Sequence, residues 1–160
     1  MTGPSNPLYS VDTSALIDWL DRYYPEENFP TLAQKVEALV MDGRFFISQE
    51  VWVEATKLDT RTKDWCTPRR DALVIPTDAA AAAAAASITA QFQGLVSPLA
   101  TSVQADPFVI AVARARSATV ITGEVMSRNP NRPKIPDVCT QFKIPCITFL
   151  NLIQQEGWTF

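Results

Sequence analysis

The chain contains no histidine. This excludes Ser-His and Cys-His nucleophile pairs, imidazole acid–base chemistry and His-ligated zinc. Any metal it holds is expected to be a hard, oxygen-ligated ion such as Mg2+ or Mn2+. Cysteine is scarce: Cys66, Cys139 and Cys146 form an odd set with no C-x-x-C pair. The expectation is free, part-buried thiols in a reducing cytoplasm, and the lack of a basic-then-apolar leader fits that location. Long apolar runs are also missing. The octa-alanine run Ala79 to Ala86 passes into Ser87, Thr89 and Gln91, far short of the ~18 residues of a membrane span. Nor is there an excess of positive charge: 14 Lys and Arg stand against 17 Asp and Glu, a net charge of −3. Nucleic-acid binding by bulk charge is excluded, so any such binding is local.

What is present is 160 residues, 47% hydrophobic and 19% charged, enough for one globular domain with a sizeable core. Residues 1–7 carry Gly3, Pro4, Ser5, Asn6 and Pro7 and read as a loose lead-in to a domain over 8–160.

Leu8 to Val11 reads as a buried strand that ends on Asp12. Thr13 or Ser14 then caps a helix carrying Ala15, Leu16, Trp19 and Leu20 and ending near Tyr24-Pro25. Asp12 is either a plain helix-start acid or a ligand at a strand's carboxyl end, where open α/β sheets bind. Thr31 is expected to cap a second helix with Leu32, Val36, Leu39 and Val40 inward, stopping at Asp42-Gly43. Arg44 to Ile47 is a strand, and Ser48 caps the next helix. Val51, Ala55 and Leu58 make that helix's core stripe, with Glu54 inside it. A carboxylate there costs free energy unless it pairs, as with Lys57, or ligates something. Glu50 is a helix-start acid.

Thr60 to Arg70 is a short helix or loop, and Leu73 to Ile75 is too short to assign. Thr77 or Asp78 starts an alanine-rich helix reaching Gln91 or Gly94. Leu95 to Ser102 is a linker. Asp106 caps, and Pro107 opens, a helix that is small and apolar as far as Arg114. Thr119 to Thr122 is a second buried strand ending on an acid, Gly123-Glu124. Asp137 caps a short helix over Val138 to Phe142, Pro145 to Phe149 is the last strand, and Asn151 starts the closing helix. Strands alternating with helices predict a three-layer α/β/α sandwich with a central parallel sheet of four or five strands.

Asp12, Glu54, Asp106 and Glu124 share one placement: strand ends, helix starts, or a core stripe in an early turn. Four like charges at one edge raise each other's pKa, and a divalent cation offsets this. The order of these acids, with Thr13-Ser14 after the first and Thr122-Gly123 before the last, resembles the PIN-domain nucleases. The nearest type is the VapC-like toxin ribonucleases. Ile135-Pro136-Asp137-Val138-Cys139 and Gly157-Trp158-Thr159-Phe160 look like one PIN subfamily. The resemblance runs from Leu8 nearly to the end. It implies Mg2+- or Mn2+-dependent hydrolysis of RNA. Asp12, Glu54 and Asp106 match the main acids. Glu124 matches a fourth position that is often Asp, so its direct metal contact is in doubt; Asp137 is an alternative ligand or a helix cap. Thr13, Ser14 and Thr122 are supporting residues. Arg128, Arg132 and Lys134, then Arg61, Arg69 and Arg70, are candidates for RNA phosphates, and Trp65 for base stacking or the core. The resemblance also implies a cognate antitoxin and a homodimer.

A receiver-type phosphoacceptor wants two acids after the first strand and a Lys on the last, and this chain has neither. A haloacid-dehalogenase-like phosphatase wants a second Asp where Ser14 stands. The competing reading from another class is a degenerate PIN fold that binds RNA or protein without catalysis.

Overall fold

In the computed structural model, which describes residues 6–160, five short strands alternate with helices. The first five residues of the expected lead-in lie outside the described residues. Strands β1 (Tyr9–Val11), β2 (Phe45–Ser48), β3 (Val74–Ile75), β4 (Thr119–Ile121) and β5 (Cys146–Ile147) form one parallel sheet in the order β3-β2-β1-β4-β5. β1, β2 and β4 are buried along their length, as a sheet covered by helices on both faces requires. The chain steps outward from β1 through β2 and β3, then returns to add β4 and β5 on the other side. Right-handed crossovers before and after this reversal put their helices on opposite faces. The reversal leaves a crevice at the carboxyl ends of β1 and β4, the usual ligand position in such sheets.

The helix expected after Asp12 forms in two parts. α1 (Thr13–Ile17) widens into a π-helical stretch, Asp18–Tyr23. The wider turn drives Trp19 fully into the core. Its ring stacks on Phe149 at 5.4 Å and meets Trp65 edge-on at 4.8 Å. Trp65 is therefore core, not a base-stacking platform.

Several helices start elsewhere than the local signals predict. Asp12 itself, extended at φ −81°, precedes α1, and Thr13 and Ser14 lie inside the first turn. α2 (Pro30–Met41) opens on Pro30, whose fixed φ suits the first turn, not behind a Thr31 cap. Its inward stripe is Leu32, Val36, Leu39 and Val40, as the spacing predicts. α3 (Gln49–Lys57) is capped by Ser48, whose Oγ accepts from the Val51 N–H at 3.1 Å. Leu58 falls just past its end, half-buried, instead of completing the stripe. α4 (Arg61–Cys66), a 3-10 turn and α5 (Arg70–Leu73) lead into β3. α6 (Ala79–Gln91) is capped by Asp78. α7 (Asp106–Arg116) takes Asp106 as its first residue and Ala105 as its cap, one position earlier than expected. α8 (Ile135–Phe142) begins two residues before Asp137. α9 (Phe149–Gln155) is capped by Thr148, whose Oγ1 accepts from the Asn151 N–H, in place of a start at Asn151.

Gly94 lies where the loop before α8 crosses the turn after α6. A Cβ on it would overlap the Asn131 carbonyl oxygen and touch Pro133 Cδ at 3.0 Å. Neither obstacle can rotate away. Gly94→Ala is expected to lower the unfolding free energy by about 1–3 kcal/mol, read by urea denaturation; an unchanged midpoint would mean the loop moves off the turn freely.

Among the described residues, no helix is long and apolar enough to cross a membrane.

Candidate active site

Register assembles the site. Val11 stands opposite Ile121, so Asp12 and Thr122 emerge side by side at the sheet's carboxyl edge. Asp12 is only 3% exposed. One of its oxygens, Oδ2, accepts from Ser14 Oγ at 2.6 Å and from Thr122 Oγ1 at 3.0 Å. The same hydroxyls continue the network: Ser14 Oγ accepts from the Gly123 N–H at 2.9 Å, and Thr122 Oγ1 from the Glu124 N–H at 3.1 Å. The turn carrying Glu124 is thereby fastened to the helix following Asp12.

Glu54 does not pair with Lys57 on its own helix. Its Oε1 accepts from Thr13 Oγ1 at 2.7 Å, and its Oε2 from the Ala105 N–H at 3.2 Å. Ala105 has no side-chain acceptor with which to cap α7. Glu54, from α3, supplies one, and its negative charge suits that helix terminus. Asp106 is the next residue. Glu124 turns its Oε2 onto the Ile135 N–H at 3.1 Å. Glu50 stands apart, accepting from Thr77 Oγ1, in a structural role.

Asp137 is not the cap of a helix starting at Val138. It lies in the first turn of α8, and its two oxygens accept from the N–H groups of Ser127, Arg128 and Lys134 at 2.8–3.2 Å. Burial pushes its pKa up, but the three N–H groups outweigh that and hold it below the usual range. Its hydrogen bonds organise the preceding loop.

The charges of Glu54 and Glu124 act on both Asp12 and Asp106. Burial pushes Asp106 up to about 8, reinforced by the charges of Asp12, Glu124 and Glu54, with Lys134 partly offsetting them. Burial likewise raises Asp12 to about 6, with Glu124 and Glu54 adding to it and the Ser14 and Thr122 hydroxyls opposing. None of the four is ion-paired among the described residues. The donor chemistry, carboxylate oxygens with no salt-bridge partner and only the more distant charge of Lys134 to offset them, fits a hard divalent cation. It is not a preformed cage: among the described residues no three acid, Cys or His side chains stand together as a metal-binding group. The hydrogen bonds of Glu54 and Glu124 explain this, because both carboxylates are turned onto backbone N–H groups.

The basic candidates divide. Arg128, Arg132 and Lys134 are exposed on the loop after Glu124. Arg69 is engaged by Glu37 at 2.7 Å and lies over the Trp65 ring. Arg70 lies over Trp52, and Arg61 pairs with Glu27. The motif pattern does not single out Asp18, yet its carboxylate lies so close to Gly123 that a Cβ there would overlap it. The available signal was spacing: Asp18 follows Ser14 by four, on the same helix face.

The sheet order and its acid-lined switch point define the class: a PIN-like α/β fold, as the resemblance implies. Residues 9–160 match the family described as "Domain of unknown function (DUF4411)", and the chain belongs to that family. No curated protein matches the sequence. A chain of the crystal structure of VapBC2 from Rickettsia felis, bound to a DNA fragment from their promoter, shares the fold at 15% identity and a TM-score of 0.51, covering 89% of this chain and 98% of that one. A chain of FitAcB from Neisseria gonorrhoeae is 18% identical, with a TM-score of 0.48 over 88% of this chain and 96% of that one.

Proposed function

We propose that residues 8–160 form one PIN-like domain acting as a metal-dependent endoribonuclease, the toxin of a toxin–antitoxin pair. The observation that supports this is the burial of Asp12 beside Thr122 at the switch point, where the charges of Glu54 and Glu124 add to the raised pKa values of Asp12 and Asp106. These four residues would hold Mg2+ or Mn2+. The ion, when bound, supplies a lowered pKa for water and positive charge facing a phosphoryl oxygen. Ser14 and Thr122 fix the Asp12 carboxylate, and Thr13 fixes Glu54. Asp106 or Glu124 orients the attacking water. Lys134, Arg128 and Arg132 meet RNA phosphates, while Arg69, held by Glu37, and Arg70, lying over Trp52, stay out of that contact. A cognate antitoxin, a homodimer and a cytoplasmic location complete the reading.

A second reading draws on the backbone N–H groups that already occupy the carboxylates of Glu54 and Glu124: a PIN-like fold that binds RNA or protein without catalysis. Incubating mixed RNA with the protein and Mg2+ or Mn2+ separates the two. Cleavage that EDTA abolishes is expected. RNA bound but uncut in both metals would favour the binding module.

A further inference from the structure

A cavity of about 420 Å3 opens between the end of α6, the loop after Glu124 and α8. Its wall includes Phe92, Met126, Arg128, Asn129, Thr140 and Gln141. We propose that this cavity receives one unstacked base of a single-stranded RNA whose backbone runs past the carboxylates; this rests on the RNA-directed reading above.

Three observations carry it. The first is chemistry. Phe92 is braced edge-to-face by Phe142 at 5.4 Å and, with Met126, gives an apolar surface. The Gln141 amide offers a donor and an acceptor; the Thr140 hydroxyl, which donates to the Pro136 carbonyl, keeps its acceptor side, and Asn129, whose Oδ1 accepts from the Asn131 N–H, keeps its amide donors. Single-stranded RNA is read by this combination, a base lying on a flat apolar group with its edge hydrogen-bonded. The volume lies within the range of small-ligand sites.

The second is continuity. Met126 follows Glu124 by two residues, so their Cα atoms are at most ~7.6 Å apart. A strand with a phosphate at the acids therefore brings a neighbouring nucleotide to the cavity mouth.

The third is the conformation of Arg128, which lines the cavity at φ +57°. That region is uncommon for a residue with a side chain. It is sustained here because Asp137 Oδ1 accepts from the Arg128 N–H at 3.2 Å while Oδ2 takes those of Ser127 and Lys134. The fold thus fixes the Arg128 backbone at the wall, and an exposed guanidinium there, with its fivefold donor set, suits an adjoining phosphate.

The test is fluorescence anisotropy of a labelled random-sequence single-stranded RNA with the wild-type protein in EDTA, which separates binding from cleavage. Gln141→Glu puts a charge at the wall without changing its volume, and Gln34→Glu on α2 makes the same charge change outside the cavity. Gln141→Glu is expected to weaken binding roughly ten-fold, the scale of losing one well-held base, and Gln34→Glu less than two-fold. Phe92→Leu, which keeps the packing but loses the ring, is expected to fall between them. Equal affinity for Gln141→Glu and Gln34→Glu overturns the base site, as does no RNA binding at all or competition only by a protein partner. If Gln141 matters for binding yet no metal supports cleavage, the base site stands and the nuclease reading falls. If the protein cleaves but is indifferent to Gln141→Glu, the reverse holds.

Discussion

Asp12→Asn is expected to cut metal-supported RNA cleavage at least about a hundred-fold, because even a residue that only orients a metal ligand costs about 10–100-fold when changed. The substitution is conservative for the fold. Both hydroxyls that hold Asp12, Ser14 Oγ and Thr122 Oγ1, donate to the same oxygen, Oδ2. An amide oxygen placed there keeps both bonds. The buried position then carries a neutral group where a carboxylate was held at a pKa of about 6 against burial. Lost activity with an unchanged circular dichroism spectrum and an equal or higher Tm is the expected result, with cleavage measured at saturating Mg2+ or Mn2+. Cleavage surviving in Asp12→Asn would mean that the acids at the switch point do not carry the chemistry.

The acids were legible because each breaks a local rule. Asp12 ends an apolar run, and Glu54 interrupts the Val51–Ala55 stripe. Such positions are unfavourable unless something across the fold compensates. The compensation itself was not legible. Glu54 takes its hydrogen bonds from Thr13 and Ala105, 41 and 51 residues away in sequence, so Lys57, three residues along the same helix, looked as good. One misplaced helix start has the same cause: α7 begins at Asp106, and the acceptor at that terminus comes from α3, whereas local capping rules assume a local cap. The start of α8 is local, with Asp137 reaching back three residues to the Lys134 N–H from inside the first turn. The arginines illustrate the opposite failure. Arg69 and Arg128 look alike in sequence, but Glu37 holds one and the other is left at a cavity wall. The π-helical widening at Asp18 has no signature in the residues flanking it, and the contact between Asp18 and Gly123 is signalled only by the spacing of Asp18 from Ser14.

The acids also make stability depend on pH in an unusual direction. In the folded chain Asp106 titrates at about 8 and Asp12 at about 6, both above the 3.8 of a free Asp. The folded state therefore holds its protons more tightly than the unfolded state. Stability from these groups is fully present below pH ~4 and is lost as pH rises, through about 6 for Asp12 and about 8 for Asp106. A pKa rise of one is worth about 1.4 kcal/mol, so the sum amounts to several kcal/mol between those limits. In EDTA, the Tm of the wild type is expected to fall by roughly 10–20 °C from pH 5 to pH 8.5. Asp106→Asn has no charge to acquire there, so its curve should be flatter and its Tm at pH 8.5 higher than the wild type's. Mg2+ or Mn2+ acts on the same repulsion, so at pH 8.5 it should restore the wild type and raise Asp106→Asn much less. At pH 5, with Asp106 protonated, the ion should do little for either. Differential scanning calorimetry at the two pH values, with and without metal, reads all of these together. A wild-type curve as flat as that of Asp106→Asn would show that neither burial nor the neighbouring carboxylates raise Asp106. The case for a cation at the switch point would then lose its footing, whatever the RNA assay gives.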